Sequence, residues 1–280
     1  MRELDVKQVT TTIAQLCQDA NFHLGEDVER ALRNAEAAED KPLAKEILGQ
    51  LITNAEIAHQ NQVPICQDTG MTIIFIEIGQ EIHFVGGSLE EAIHEGVRQG
   101  YRSGYLRKSV VRHPLTRENT GDNTPAIIHI RVVPGDRLTI TVAPKGFGSE
   151  NMSGVGMLTP AQGEEGVKRF VVETVRRAGS NPCPPIIVGV GIGGSMEKAA
   201  TLAKWALTRE VGEHHSDPVA GRLEDELLQA INQLNIGPQG FGGKTTALWV
   251  SVELFPTHIA SLPVAVNICC HANRHKSVML

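Results

Sequence analysis

A short turn followed at once by an apolar run strongly limits how this chain can fold. Residues 63–70 have the sequence VPICQDTG, and residues 71–76, MTIIFI, are apolar except for one threonine. Such a run is typical of a strand that is buried on both faces. A turn attached to a buried strand can hold side chains rigidly, as a binding or catalytic site requires. The sequence therefore predicts a sheet with a candidate site at the start of one strand.

The sequence predicts helices before this strand and a mixture of helices and strands after it. Apolar residues at steps of three and four predict helices over residues 6–38 and 43–59. Later helices and strands alternate without a clean βαβ repeat, which favours a mixed sheet. We therefore expect an α+β fold (mixed α/β). Residues 1–60 should form an N-terminal helical segment that packs on a mixed α/β domain of residues 61–280. Together the two parts should make one continuous domain, 1–280.

A hairpin is predicted in the middle of the chain. Residues 126–133 and 137–142 alternate between apolar and polar side chains, and Pro134-Gly135-Asp136 lies between them. Two alternating runs joined by a short turn are typical of paired antiparallel strands.

Composition excludes several classes of protein. The chain has 280 residues, a hydrophobic fraction of 41% and a net charge of −6 without a basic face, so nucleic-acid binding is disfavoured. No apolar run approaches the roughly 18 residues that a membrane span needs. The N-terminus is charged and lacks the apolar core of a signal peptide. We expect a cytoplasmic protein, in which thiols stay reduced.

Three of the five cysteines are candidates for metal binding. Cys17 lies on the apolar stripe of a predicted helix and is assigned to packing. Cys66, Cys183 and Cys270 lie instead beside glycine, proline or polar residues, and we expect them to converge on one metal centre. They lack the close ligand pairs of structural zinc sites, whereas three distant thiolates match an iron–sulfur cluster with one open iron. The alternative is three separate buried thiols.

Two glycine-rich segments suggest nucleotide binding, but their context argues against it. Gly189, Gly191 and Gly194 match G-x-G-x-x-G, yet residues 196–235 predict two successive helices where a parallel strand should follow. Residues 237–245 nearly match a P-loop but have Pro238 in place of a required glycine. An anion could still bind at the first glycine segment. A nucleotide- or anion-binding regulatory module is therefore the alternative of another class.

Taken together, several motifs resemble one family along nearly the whole chain. They are PICQDTG (residues 64–70), KGFGSEN (145–151), GIGG (191–194), HIASLPV (258–264) and CHA (270–272). The chain resembles the alpha subunit of the two-subunit class I fumarate hydratases. This iron–sulfur hydro-lyase family also contains L-tartrate dehydratase.

The resemblance implies a cofactor and a set of site residues. The three ligands of a 4Fe-4S cluster would be Cys66, Cys183 and Cys270, the last preferred to Cys269 because an aromatic-Ala pair follows it. Asp68 and His258 would be catalytic, although His258 could also be a core histidine. Phe147 stands where the family often has a third glycine. The substrate contacts would include Gln67, Asp68, Arg107, Gly146, Gly148 and His258.

The resemblance also implies a reaction and a partner. The expected reaction is the reversible hydration of fumarate to L-malate at the open iron of the cluster, and L-tartrate dehydration fits the same motifs. A separate beta subunit would supply the general base, so we expect a hetero-oligomer of alpha and beta subunits. The substrate would be a small dicarboxylate, with no nucleic acid or membrane involved.

Overall fold

Helices and strands alternate along most of the chain. The computed structural model describes residues 1–280 and has an α+β fold, so the predicted fold class is confirmed. The helices are α1 (Val6–Phe22), α2 (Glu26–Ala38), α3 (Pro42–Asn61), α4 (Leu89–Ser103), α5 (Phe147–Glu150), α6 (Gly163–Ala178), α7 (Met196–Ala206) and α8 (Pro218–Asn232). The strands are β1 (Arg2–Asp5), β2 (Met71–Gly79), β3 (Ile82–Val85), β4 (Ile127–Val133), β5 (Leu138–Lys145), β6 (Gly154–Leu158), β7 (Ile186–Gly193), β8 (Ala247–Phe255), β9 (Leu262–Cys269) and β10 (Lys276–Met279). Two short 3-10 helices span Pro160–Gln162 and Pro238–Gly240.

The chain separates into two compact units. The first comprises Met1–Leu24, Ala55–Phe147 and Arg274–Leu280, and the second comprises Gly25–Asn54 and Gly148–Asn273. The predicted helices at the start of the chain are present as α1, α2 and α3. The division into a helical segment 1–60 and a domain 61–280 remains a prediction.

The first unit is built around β2. Its main sheet has the strand order β10-β5-β2-β4, and a small parallel pair joins β1 to β3. Ile74 and Ile76 of β2 are fully buried, in a core shared with Ile13 of α1 and Val97 of α4. This burial explains the continuous apolar run that the sequence shows before Gly79.

The predicted hairpin between residues 126–133 and 137–142 is wrong. The strands β4 and β5 both exist, but β2 lies between them, parallel to β4 and antiparallel to β5. The turn at residues 134–136 instead crosses the end of β2, where the Gln80 N–H donates to the Val133 carbonyl at 2.8 Å and the Glu81 N–H donates to the Gly135 carbonyl at 3.0 Å. Because β10 occupies the other edge of β5, a β4–β5 hairpin would leave β2 at an edge of this sheet, whereas a strand as apolar as β2 is stabilised by a neighbour on each side.

Cys17 has the packing role that the sequence predicts. Its side chain is fully buried in the core of the first unit. Burial disfavours the thiolate and raises the pKa of the Cys17 thiol to about 12. Cys17 is therefore an inert thiol and no metal-ligand candidate.

The second unit has its own sheet and core. Its strand order is β6-β9-β7-β8, with β7 parallel to β8 and antiparallel to β9. Val171 of α6 and Leu227 of α8 pack against Val188 and Val250 of this sheet. None of the helices in the structure combines the length with the hydropathy of a membrane span.

Glycines in β7 let α7 lie directly on the sheet. A Cβ atom added to Gly189 would lie 2.1 Å from the Ala203 carbonyl oxygen, and one added to Gly191 would lie 2.1 Å from that of Ala199. Both glycines lie inside the strand and not in a ligand-binding loop. The first two glycines of the G-x-G-x-x-G motif are therefore explained by helix–strand packing, which weakens the nucleotide alternative.

Candidate functional site

The turn between α3 and β2 orients the Asp68 carboxylate with two backbone amides. The Gly70 N–H donates to Asp68 Oδ1 at 3.0 Å, and the Phe147 N–H donates to Asp68 Oδ2 at 2.8 Å. The Asp68 N–H donates to Cys66 Sγ at 3.4 Å. The hydrogen bonds from the Gly70 and Phe147 amides are charge-assisted and fix both oxygens of the Asp68 carboxylate in one orientation. Cys66 and Asp68 are thus held as one rigid unit.

Close packing and a buried hydrogen bond hold this turn in place. Gly70 has a φ of 79°, and a Cβ atom there would lie 2.7 Å from the Lys145 backbone nitrogen, so only glycine fits. The buried Tyr101 hydroxyl donates to the Thr69 carbonyl at 2.7 Å. Burial raises the pKa of Tyr101, so this hydroxyl stays protonated as a donor. The turn therefore has little freedom to move.

Two further predicted substrate contacts lie beside this turn. Gly146 is adjacent to the Asp68 carboxylate, because a Cβ atom added there would lie 3.3 Å from Asp68 Oδ2. The Thr69 hydroxyl donates to the Arg107 carbonyl at 2.9 Å, and the Arg107 side chain is exposed. Gln67 is also exposed. The first unit thus places Gln67, Asp68 and Gly146 at one turn, with the backbone of Arg107 beside it.

Arg274 belongs to the same group of residues, although no sequence motif predicted a role for it. Its side chain is only 4% exposed, and its Nη2 donates to the Asp68 carbonyl. A Cβ atom added to Gly146 would lie 3.7 Å from Arg274 Nη2. Arginine side chains are mostly exposed, and no periodic pattern around Arg274 signals its burial.

Cys183 and Cys270 lie in the second unit and are linked through a histidine. Cys183 is exposed, has a φ of 56° and lies between two prolines. His271 Nδ1 lies 3.0 Å from the Cys183 carbonyl oxygen, which ties the segment after Cys270 to the Cys183 turn. Gln239 Nε2 also holds this turn, donating to the Pro184 carbonyl at 2.8 Å.

Cys270 and Cys269 differ in their access to a ligand. Cys270 is partly exposed just beyond β9, whereas Cys269, the last residue of the strand, is 4% exposed in the core. This contrast supports the choice of Cys270 over Cys269 as a ligand candidate.

The other two predicted contacts, Gly148 and His258, are exposed residues of the second unit. His258 Nδ1 accepts a hydrogen bond from the Ala260 N–H at 3.2 Å within its own turn. His258 is thus a surface residue and not a core histidine. Its catalytic role remains a prediction.

The donor set suits an iron–sulfur cluster. Cys66, Cys183 and Cys270 are all at least partly exposed and lie outside the helices and strands, whereas the other two cysteines are buried. Cysteine thiolates are the usual ligands of such clusters. No three His, Cys, Asp or Glu side chains form a group that could hold a metal ion. The convergence of the three thiols, one in the first unit and two in the second, remains a prediction.

Comparison with known proteins identifies the family. The family model described as fumarate hydratase (Fumerase) matches residues 10–279, which is nearly the whole chain. The chain belongs to this family, as its motifs predicted, and is therefore a hydro-lyase.

Similar proteins carry a more specific name. A protein of Methanocaldococcus jannaschii, "Putative L(+)-tartrate dehydratase subunit alpha", is 45% identical over 95% of both chains. The "L(+)-tartrate dehydratase subunit alpha" of Escherichia coli O157:H7 is 31% identical over 98% of this chain and 91% of its own length. The protein of the same name from Escherichia coli UTI89 is 32% identical over 96% of this chain and 89% of its own length.

Proposed function

We propose that this chain is the alpha subunit of an iron–sulfur hydro-lyase that dehydrates L(+)-tartrate. The observation that carries the proposal is the similarity, over nearly the full length, to proteins named as alpha subunits of L(+)-tartrate dehydratase. The orientation of Asp68 by two backbone amides next to Cys66 supports a catalytic role for this turn. The sequence alone favoured fumarate, and the names of the relatives now favour tartrate.

Cys66, Cys183 and Cys270 would hold the 4Fe-4S cluster. When bound, a cluster with one open iron supplies a Lewis acid that assists departure of a substrate hydroxyl as water. Residues of the chain would bind and orient the substrate. The exposed guanidinium of Arg107 would bind a substrate carboxylate, since its planar fork matches two carboxylate oxygens. The exposed Gln67 amide would orient the substrate from the same turn.

Asp68 is the candidate for proton transfer at this turn. Its carboxylate is held in one orientation by the Gly70 and Phe147 amides, so little reorganisation would precede the transfer. Proton transfer by a side chain requires such positioning before any other property. The exposed His258 would contact the substrate as a hydrogen-bond donor.

Hydration of fumarate to L-malate is the second candidate reaction. The description of the matching family model, fumarate hydratase, favours it. Malate and tartrate are both four-carbon dicarboxylates and differ by one hydroxyl, so both fit the same carboxylate contacts. A site built to hydrogen-bond the additional hydroxyl would discriminate strongly against the substrate that lacks it.

A separate beta subunit completes the enzyme in this proposal. The relatives are named as alpha subunits, which implies a second chain in those proteins. We infer that this chain assembles with such a subunit as a hetero-oligomer, and that the partner provides the general base.

Turnover of two substrates by the assembled enzyme tests the proposal. We expect kcat/KM for L(+)-tartrate, measured as oxaloacetate formation, to exceed that for L-malate by about 10⁴-fold, the discrimination of a site that hydrogen-bonds a hydroxyl which the other substrate lacks. The chain without its partner should show little turnover of either compound. A higher kcat/KM for malate would favour the fumarate candidate. Failure to dehydrate both, with the cluster present, would contradict the hydro-lyase proposal.

A further inference from the structure

Arg274 carries a buried positive charge that has no ion-pair partner in the protein. The residue is 4% exposed, and Nε and Nη1 are buried without a hydrogen-bond acceptor. Its one hydrogen bond to the protein is donated by Nη2 to the Asp68 carbonyl, and no carboxylate forms an ion pair with it. Two of its three nitrogens therefore have no partner.

Such an arrangement is unfavourable for the chain by itself. A guanidinium remains protonated in proteins, so burial cannot be relieved by loss of the proton. Burying a charge without a partner costs folding free energy, and groups of this kind are retained mainly at functional sites. A buried guanidinium of this kind favours an anion bound nearby.

The surroundings of Arg274 indicate where this anion binds. A Cβ atom added to Gly146 would lie 3.7 Å from Arg274 Nη2 and 3.3 Å from Asp68 Oδ2. The guanidinium therefore lies within a few ångströms of the Asp68 carboxylate. The Asp68 carboxylate already accepts hydrogen bonds from Gly70 and Phe147 and forms no ion pair with Arg274. Gln67, at the same turn, is exposed and accessible to a ligand.

We propose that Arg274 is the charge-balancing residue of the substrate site. It positions the Gln67–Asp68 turn through the Asp68 carbonyl, and its charge favours the binding of a dicarboxylate dianion there. Because the guanidinium is buried, its field is weakly screened and reaches the ligand without direct contact. This inference rests on the proposed function, since it takes the anion to be the substrate. Arg274 is accordingly a positioning residue and not a catalytic one.

The proposal predicts opposite effects on stability and on binding. In the cluster-free chain, Arg274→Met should unfold at the same denaturant concentration as the wild type or a higher one, because it removes a buried charge that has no ion-pair partner. In the assembled enzyme, Arg274→Met should raise both KM for L(+)-tartrate and the dissociation constant of succinate at least 10-fold. Arg274→Lys keeps the charge and should restore most of the affinity. The matched control is Arg177→Met, at an exposed arginine of α6, which should change neither constant.

Succinate cannot lose water, so calorimetry of its binding is independent of turnover. Wild-type enzyme that binds succinate but dehydrates no dicarboxylate would contradict the proposed function without contradicting the role of Arg274. Equal succinate affinity in the wild type and Arg274→Met would overturn the proposal, and so would the absence of succinate binding by the wild type. A strongly destabilised Arg274→Met chain, with Arg274→Lys no better in affinity, would assign Arg274 a purely structural role.

Discussion

Replacing Asp68 with asparagine will lower kcat of the assembled enzyme by about 10²- to 10⁴-fold, the usual contribution of a positioned proton-transfer group. Asparagine has nearly the same shape and can still accept from one of the two amides that now bind Asp68, from Gly70 and Phe147. It cannot exchange a proton as a carboxylic acid does. The turn should therefore keep its structure while catalysis is lost. Steady-state kinetics, with iron and sulfide content measured on the same samples, checks this result.

Asp136→Asn is the control for this change, because Asp136 is an exposed aspartate in a turn of the same unit. It should leave kcat unchanged within about twofold, as surface substitutions generally do. An Asp68→Asn enzyme with wild-type kcat and a full cluster would remove Asp68 from the proton-transfer step. Loss of the cluster together with kcat would instead assign Asp68 a role in holding the turn around Cys66.

Introducing a methyl group at Gly191 will destabilise the protein by about 3 kcal/mol, at the upper end of the cost of overpacking. The added Cβ atom would lie 2.1 Å from the Ala199 carbonyl oxygen and 2.6 Å from the Ala203 nitrogen, both in the backbone of α7. Backbone atoms of a packed helix cannot turn aside as a flexible side chain can. The helix would have to move away from β7. Chemical denaturation of Gly191→Ala and wild-type chains measures the difference in the free energy of unfolding.

Gly154→Ala provides a matched comparison in the same sheet. A Cβ atom at Gly154 would meet the Thr174 side chain at 3.7 Å, an ordinary contact, so this variant should be as stable as the wild type. If Gly191→Ala kept full stability but abolished binding of a nucleotide or small anion, the glycine segment would be a ligand site. The regulatory-module alternative would then be favoured over the packing role of Gly191.

Local patterns predicted the elements well because helices and strands have short periods. The apolar steps of α1 and the apolar run of β2 are each readable within one element. The pairing of strands depends on distant segments, so the alternation around residues 134–136 suggested a hairpin that β2 prevents by lying between β4 and β5. The glycines of β7 likewise matched a nucleotide motif, because a sequence does not show that a helix lies against them.

The candidate site was partly predictable for the same reason. Cys66, Gln67 and Asp68 are adjacent in the chain, so their grouping was visible in the sequence. Arg274 reaches Asp68 from 206 positions away, and its burial results from tertiary folding alone. The preference for tartrate came from similarity to named relatives, since malate and tartrate place the same demand on carboxylate-binding residues.

We propose that Cys66, Cys183 and Cys270 together hold one iron–sulfur cluster. Anaerobic purification, followed by iron and sulfide analysis and a visible spectrum, tests it most directly. We expect a brown protein with about four irons and four sulfides per chain. Cys66→Ser, Cys183→Ser and Cys270→Ser should each lose them, while Cys17→Ser, at a buried cysteine, should keep them. A folded, colourless wild-type protein after anaerobic reconstitution, or a full cluster in any of the three variants, would contradict this assignment of the ligands.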